Sequence, residues 1–453
     1  MIAPARRVAL DALSRIAAGQ ELPEALARTR DALADERDRA LAAAIVIGTL
    51  RWRALLDHHL AHASTRPLAQ LDAVVVDIVR LSLFQLLFLE RVPASAVVHD
   101  AVSMARRAGK SSAGGFVNAV LRTLSRGRSA LETPRPPAAI GSAEDRAQAI
   151  EALHVGGSHP RWLVARWIDR LGLEAASEWV AFDNAEPPMT LRVNRRRWTR
   201  DALAAALRER GVETVPAPLA PDGLRVVSGN PLRLPGAGDF LVQDEASQLV
   251  ALMVDTRPGH RVLDACAAPG GKTLVLADQL GGRGTLVAGD GRMRRVGLLR
   301  ALLRAHEADV PIVVHDVERA MPFGPRFDRV LLDAPCTGLG TLRRDVDIRW
   351  RRIEGDIAAA AARQRRMIAA AAAAVAPGGR LVYATCSSEP EENEEVVAAF
   401  LAGMPGFVRA GPDALVDAGV PPSVLDRATG DLQTRPDRHG LECFYASALE
   451  RRA

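Results

Sequence analysis

Five short apolar runs in the C-terminal half each end on, or immediately before, an aspartate or a cysteine, and helix-like segments separate them. The runs are Arg261 to Asp264, Thr285 to Asp290, Val310 to His315, Asp328 to Asp333 and Gly379 to Thr385. Buried parallel strands read as continuous apolar runs, and each needs a crossover before the next can begin. The pattern therefore predicts a doubly wound α/β sheet from about Gly236 to the C-terminus. Ligands of such sheets bind beyond the carboxyl ends of the strands, where these aspartates and cysteines fall. The Ala-rich stretch Asp356 to Val375 predicts a long helix covering the sheet.

The first strand runs into a glycine turn, Asp264-Ala265-Cys266-Ala267-Ala268-Pro269-Gly270-Gly271-Lys272-Thr273. A strand ending in Asp, then Ala-Pro-Gly-Gly and a helix, suits a nucleotide-like cofactor, because backbone groups can approach the ligand with no side chain between. The Gly-x-x-x-x-Gly-Lys spacing of a phosphate loop is absent. Asp290 is placed to accept hydrogen bonds from a ribose diol, and Asp316 to lie near an adenine. Either could instead cap a helix, but strand-end acids on successive strands argue for a shared pocket.

Two further motifs carry thiols: Asp333-Ala334-Pro335-Cys336 and Ala384-Thr385-Cys386-Ser387. A buried cysteine is ordinarily a small hydrophobe. Here Thr-Cys-Ser closes an apolar strand and precedes the polar turn Glu389-Pro390-Glu391-Glu392-Asn393, which sets the sulfur at the ligand-binding edge. The four cysteines, at 266, 336, 386 and 443, show no paired short spacing, so no metal site is expected. No signal-like apolar run opens the chain, and the apolar segment Leu71 to Val92 contains Asp77, Arg80 and Glu90, which reads as a buried helix rather than a membrane span. A cytoplasmic protein with reduced thiols is expected.

At 453 residues the chain should hold two or three domains. Residues 1–130 show helical periodicity, as in Leu10, Leu13 and Ile16 or Val74, Ile78 and Leu81, and predict an all-α bundle. A Pro-Arg-Pro-Pro linker follows. Residues 140–235 read as further helices and then, from Met189, as a small α+β module with strands near Thr190, Val212 and Leu224. The α/β domain occupies 236–453. The net charge of +5 fits a polyanionic partner. Only two of its 59 basic residues are lysines, Lys110 and Lys272, and one of them stands in the glycine turn. Arg192, Arg195, Arg196 and Arg197 are candidate phosphate contacts, with a solvated basic face as the plain alternative.

With these motifs in hand, the chain resembles the RNA (cytosine-5)-methyltransferases that use S-adenosylmethionine. Within them it is similar to the bacterial subgroup that modifies cytosine 967 of 16S rRNA and carries a NusB-like N-terminal domain. The likeness is strong from Gly238 to Tyr445. Gly115-Phe116-Val117-Asn118-Ala119-Val120-Leu121-Arg122 resembles the last helix of the NusB-like RNA-binding fold, and the module after Met189 resembles the family's RRM-like domain.

The resemblance implies that Cys266, Ala267, Ala268, Pro269, Gly270, Gly271, Lys272, Asp290, Asp316 and Asp333 line the S-adenosylmethionine pocket. Carbon 5 of cytosine is too weak a nucleophile to take a methyl group unaided, and thiolate addition at carbon 6 makes it enamine-like. Cys386 is the expected nucleophile, and Cys336 the thiol that assists release of the product. Lys272 would stabilise the anionic adduct or lower a thiol pKa. The stretch Gly338 to Trp350 resembles a substrate-side loop, which makes Arg343 and Arg344 further RNA-binding candidates. Two departures stand out: Asp345-Val346 replaces a commoner His-Pro, and Leu441-Glu442-Cys443-Phe444-Tyr445 replaces a Gly-Phe-Phe-type strand. The expected partner is 16S rRNA, free or partly assembled, with no membrane and no metal. Two alternatives stay open: a methyltransferase acting on tRNA or another rRNA site, and a non-catalytic RNA-binding or antitermination factor.

Overall fold

The computed structural model describes residues 2–236, 238–319 and 321–453. The chain divides into two compact units, Met1–Ala185 with Leu342–Arg351, and Glu186–Thr341 with Arg352–Ala453.

The first unit is all-helical among its described residues. Its central helix, Ala73–Phe88, is capped by Asp72, whose side chain accepts from Val74 N at 3.0 Å. Ile78, Leu81 and Leu83 on this helix are wholly buried, while Arg80 turns back to Asp57 at 2.6 and 2.8 Å. Two of the charges that interrupt the apolar run, Asp77 and Arg80, are thus paired with each other, at 2.8 Å, and Arg80 also with Asp57. No helix among the described residues is long and apolar enough to cross a membrane. The helices Ala143–Gly156, Arg161–Leu171 and Leu173–Asn184, which the sequence pattern places after the linker, belong to the same unit.

Residues 342–351 leave the α/β chain and become part of the helical unit. Val346 packs in its core, which explains an apolar side chain where a Pro would be usual. Arg349 is wholly buried and donates to Asn184 Oδ1 at 2.7 Å and to the Asp183 carbonyl at 2.8 Å. Trp350 Nε1 donates to the Leu50 carbonyl at 2.7 Å.

The second unit holds two sheets. In the small one, β1 (Thr190–Val193), β2 (Glu213–Pro216), β3 (Gly223–Ser228) and β4 (Phe240–Val242) lie in the order β2-β3-β1-β4, all antiparallel. The helix Arg200–Glu209 covers one face through Leu203 and Leu207. Strand β4 extends this module past the boundary at 235 that the strand and helix pattern suggests.

The large sheet contains β5 (Arg261–Asp264), β6 (Thr285–Asp290), β7 (Ile312–Val314), β8 (Phe327–Asp333), β9 (Val375–Thr385), β10 (Phe407–Arg409), β11 (Leu432–Gln433) and β12 (Tyr445–Arg451). The order is β10-β12-β9-β8-β5-β6-β7, with β11 beside β12. Strands β5 to β9 are parallel and β12 runs antiparallel to β9. The chain goes from β5 outward to β7 and returns to β8 on the other side of β5. The switch point therefore lies between β5 and β8, where a doubly wound sheet opens a crevice for a ligand. Strand β7 is shorter than its apolar run because Pro311 has no N–H to give the ladder. The covering helix is Gly355–Ala372.

Candidate active site

The crevice is built first by the glycine turn. Gly270 has φ +116°, a left-handed backbone that glycine adopts without strain, and a Cβ there would stand 2.9 Å from Leu299 Cδ1. The helix Gly271–Leu280 then starts at the sheet edge. Cys266, Ala267, Ala268, Pro269, Gly271, Lys272 and Asp333 line a cleft of about 170 Å³ together with Asp264 and Gln243. Gly270 shapes the turn from behind.

Asp264 is buried at the end of β5. Its Oδ2 accepts from Thr273 Oγ1 at 2.7 Å, but Oδ1 has no partner. Burial, with Thr273 opposing and the charge of Asp333 adding, pushes its carboxyl up to about 7. Gln243 Oε1 is likewise buried without a donor. Two orphaned acceptors in one cleft call for a ligand that brings N–H donors or positive charge. S-adenosylmethionine, with its ammonium and sulfonium groups, fits that demand. The Cys266 thiol is pushed up by burial and by the surrounding carboxylates, which makes it a packing group rather than a reagent.

Asp290 and Asp316 end up outside the immediate cleft. Asp290 is buried at the end of β6, accepts from Arg292 N at 3.0 Å and lies 3.6 Å from Arg295 Nε. Asp316, past β7, is exposed and accepts from Glu318 N at 3.0 Å. Both hold a local backbone N–H, as a capping aspartate does, at the sheet edge where a cofactor's far end would lie.

The two cysteines meet at the other side of the switch point. Strands β8 and β9 pair in parallel with Asp333 opposite Ala384. Three residues beyond the one and two beyond the other, Cys336 Sγ and Cys386 Sγ are 3.3 Å apart as free thiols. Cys386 is pushed well above the ordinary thiol range, first by the Cys336 hydrogen bond, then by burial, with Asp333 adding and Lys272 opposing. Lys272 Nζ donates to Asp333 Oδ2 at 2.7 Å. Burial disfavours its charge, but Asp333 outweighs burial and raises the ammonium's pKa. Lys272 is thus a fixed cation beside the cofactor cleft and the nucleophile candidate. Gly340 N donates to the Cys386 carbonyl at 3.0 Å, and a Cβ on Gly340 would fall 2.1 Å from the Cys443 carbonyl. Cys443 itself is core.

Glu392 is the residue that sequence reasoning missed. It lies in the polar turn after Cys386 yet is wholly buried. Its carboxylate accepts from Thr337 N at 2.9 Å and from the Thr337 hydroxyl, from Gln364 Nε2 at 2.9 Å and from Ser387 Oγ at 2.6 Å. Thr337 follows Cys336 and Ser387 follows Cys386, so one carboxylate ties both thiol loops together. Gln364 also holds the Pro335 carbonyl at 3.1 Å. The only local signal is an acid in the turn that follows a strand, and a solvated turn carries the same signal.

The arginine candidates change meaning. Arg192 is buried and its guanidinium is held by Asp278. Removing a paired guanidinium from such a site to meet a phosphate would leave Asp278 uncompensated, so its role is structural. Arg195 is exposed and lies 3.0 Å from Asp222, while Arg196 and Arg197 pair with Asp278 and with Asp239 and Glu307. Arg343 stacks on Phe182 at 4.3 Å and donates to the Ala185 carbonyl, and Arg344 is half-buried in the same segment. The Arg343 contacts help hold residues 342–351 within the helical unit.

Comparison with known proteins is consistent along the chain. Residues 251–450 match the family model described as 16S rRNA methyltransferase RsmB/F, residues 3–126 the NusB family, and residues 159–233 the ferredoxin-like domain of RsmF/B-like methyltransferases. The chain is 37% identical to ribosomal RNA small subunit methyltransferase B of Pseudomonas putida, over 99% of this chain and 97% of that protein. It is 31% identical to the probable methyltransferase B of Bacillus subtilis, over 99% and 98%. The crystal structure of PH0851 superposes with a TM-score of 0.80 at 25% identity, covering 100% of this chain and 99% of that one.

Proposed function

Because the chain belongs to the RsmB/F family of S-adenosylmethionine-dependent methyltransferases of small-subunit rRNA, we propose that it methylates carbon 5 of a cytosine in 16S rRNA through a covalent thiol adduct. Cytosine 967 is the target that this reading assigns, in cytoplasmic rRNA that is free or partly assembled. The observation that carries the reading is the pair of thiols at adjacent strand ends, 3.3 Å apart.

S-adenosylmethionine supplies an electrophilic methyl group. The protein's part is to make carbon 5 accept it. The Cys386 thiolate adds to carbon 6, which pushes the ring's electrons toward carbon 5. Asp333 contacts the base edge and supports a proton at ring nitrogen 3, and Lys272 holds Asp333 and offsets the negative charge of the thiolate. After transfer, carbon 5 carries both a hydrogen and the new methyl. Loss of that hydrogen as a proton lets the carbon–sulfur bond break, and Cys336 assists this elimination. The base must leave its stack to reach the thiols.

Two features speak against a non-catalytic factor: both thiols and the whole glycine turn are kept, and the cleft holds unpaired acceptors. Bisulfite sequencing of rRNA from a strain lacking the protein tests the site. Full conversion at cytosine 967 only in that strain is expected; protection retained there moves the target elsewhere.

A further inference from the structure

The small sheet turns one face to the helix that follows the glycine turn. Leu191 and Val193 pack in the core that includes Leu203 and Leu207 of the helix Arg200–Glu209, so Arg192 between them leaves from the opposite face. There it pairs with Asp278 and donates to the Leu274 carbonyl at 3.4 Å, both on the helix Gly271–Leu280, and Arg196 approaches Asp278 at 3.2 Å. Two guanidinium groups on one buried carboxylate fix the small sheet to the helix that carries Lys272. Strand β4 of that sheet then leads into the cofactor cleft. Gln243 continues its ladder by donating its N–H to the Thr190 carbonyl at 3.0 Å. Leu241, Val242 and Gln243 line the cleft together with Asp264 and Lys272. A Cβ on Gly271 would stand 3.2 Å from Gln243 Nε2, so the amide lies against the first turn of the helix.

Gln243 is only 8% exposed. Its Nε2 donates to Ser247 Oγ at 3.3 Å, and its Oε1 has no partner. A buried amide oxygen left unpaired in the wall of a cleft is costly unless a ligand donates to it. S-adenosylmethionine carries nitrogen donors in two places, the α-ammonium group and the adenine amino group; its sulfonium has no hydrogen to give. Asp290 and Asp316, the acids suited to ribose and adenine, do not line this cleft, so the donor that reaches Gln243 is the one at the amino-acid end. We propose that Gln243 Oε1 accepts a hydrogen bond from the α-ammonium group of S-adenosylmethionine. The unpaired Oδ1 of Asp264 offers a second acceptor in the same cleft, and an ammonium has three N–H groups to share between them. The small module, whose arginines the sequence offers to phosphate, thereby forms a wall of the cofactor site. The proposal rests on S-adenosylmethionine as the cofactor and names the residue that distinguishes its amino-acid end.

The test is calorimetry on the full chain with two ligands: S-adenosylmethionine, and 5′-methylthioadenosine, which keeps the adenosine and lacks the amino-acid end. Gln243→Met removes the acceptor at similar volume. S-adenosylmethionine should bind at least about tenfold more weakly, since a buried hydrogen bond to a charged group is lost. Methylthioadenosine should stay within about twofold of the parent, so the discrimination between the two ligands collapses. Gln243→Glu keeps an acceptor at the same place and should hold S-adenosylmethionine within about threefold of the parent. Three results would each overturn the proposal: unchanged S-adenosylmethionine affinity in Gln243→Met, equal weakening of both ligands, or a loss in Gln243→Glu as large as in Gln243→Met. Equal weakening would mark Gln243 as packing or as an adenine contact, and the last result would set its N–H groups against the cofactor's carboxylate. A parent chain that binds neither ligand would overturn the cofactor assignment itself.

Discussion

Cys386 Sγ lies 3.3 Å from Cys336 Sγ, close enough for a thiol hydrogen bond and much too far for a disulfide. Either sulfur can therefore reach a base placed over the pair, and the roles must be separated by substitution. Cys386→Ala should abolish methyl transfer while leaving S-adenosylmethionine affinity unchanged. Cys336→Ala should transfer the methyl and then retain the RNA as an adduct that survives denaturing electrophoresis and is absent from the double variant. Free product and no retarded band from Cys336→Ala would sink the two-thiol mechanism.

The pair also sets a pH dependence. Cys386 is pushed up chiefly by its bond with Cys336, and Lys272 opposes the shift. Below the thiol's pKa the thiolate fraction rises about tenfold per pH unit, so alkylation of Cys386 should climb steadily above pH 7. Cys336→Ala removes the leading cause and should speed alkylation at pH 7 severalfold. Lys272→Met should do the reverse and shift the profile to higher pH. Equal rates in all three proteins, read by mass spectrometry of the labelled peptide, would show that the thiols do not influence each other.

Glu392 should behave as a positioning residue. Glu392→Ala strands Thr337, Gln364 and Ser387 donors in the interior, which should cost about 2–4 kcal/mol of stability. With the two thiol loops untied, kcat should fall more than about tenfold, since small misplacements at a reacting centre have effects of that order. Affinity for S-adenosylmethionine should stay within about twofold, because Glu392 does not line that cleft. A purely structural role would lower the melting temperature and leave the thiol alkylation rates as they were.

Asp264 predicts proton release on cofactor binding. Its carboxyl rises from 3.8 to about 7 on folding, chiefly through burial. Between those values the folded state holds a proton that the unfolded state has lost, so this group lowers stability as pH rises through the window. A cationic ligand at the unpaired Oδ1 reverses the preference and expels the proton. Affinity for S-adenosylmethionine should thus increase as pH rises from 5 to about 7 and level off above. Calorimetry at pH 6 in buffers of different ionisation enthalpy should detect the released proton, and Asp264→Asn should bind weakly without releasing one.

Much of the catalytic half was legible from local pattern. Strands Arg261–Asp264 and Thr285–Asp290 form over the residues whose apolar runs announce them. The reason is that strands buried on both faces leave a continuous apolar trace, and a turn that needs φ > 0 leaves a glycine. The helical bundle was readable for a similar reason, since one buried stripe repeats every three or four residues. The departure at Asp345-Val346, by contrast, had no local meaning until Val346 was seen in the helical core.

The sequence by itself thus determined the order of elements, the glycine turn and the presence of two thiols at strand ends. Only the tertiary structure decided which polar side chains are machinery and which are scaffold. Arg192 looks like a phosphate ligand until Asp278, 86 positions away, is found against it. Glu392 looks like a solvated turn until Thr337, 55 positions away, donates to it. An arginine or glutamate carries the same local signal whether water or a distant partner satisfies its charge. Its role is set by the desolvation of the place where it comes to rest, and that place depends on pairings across the fold.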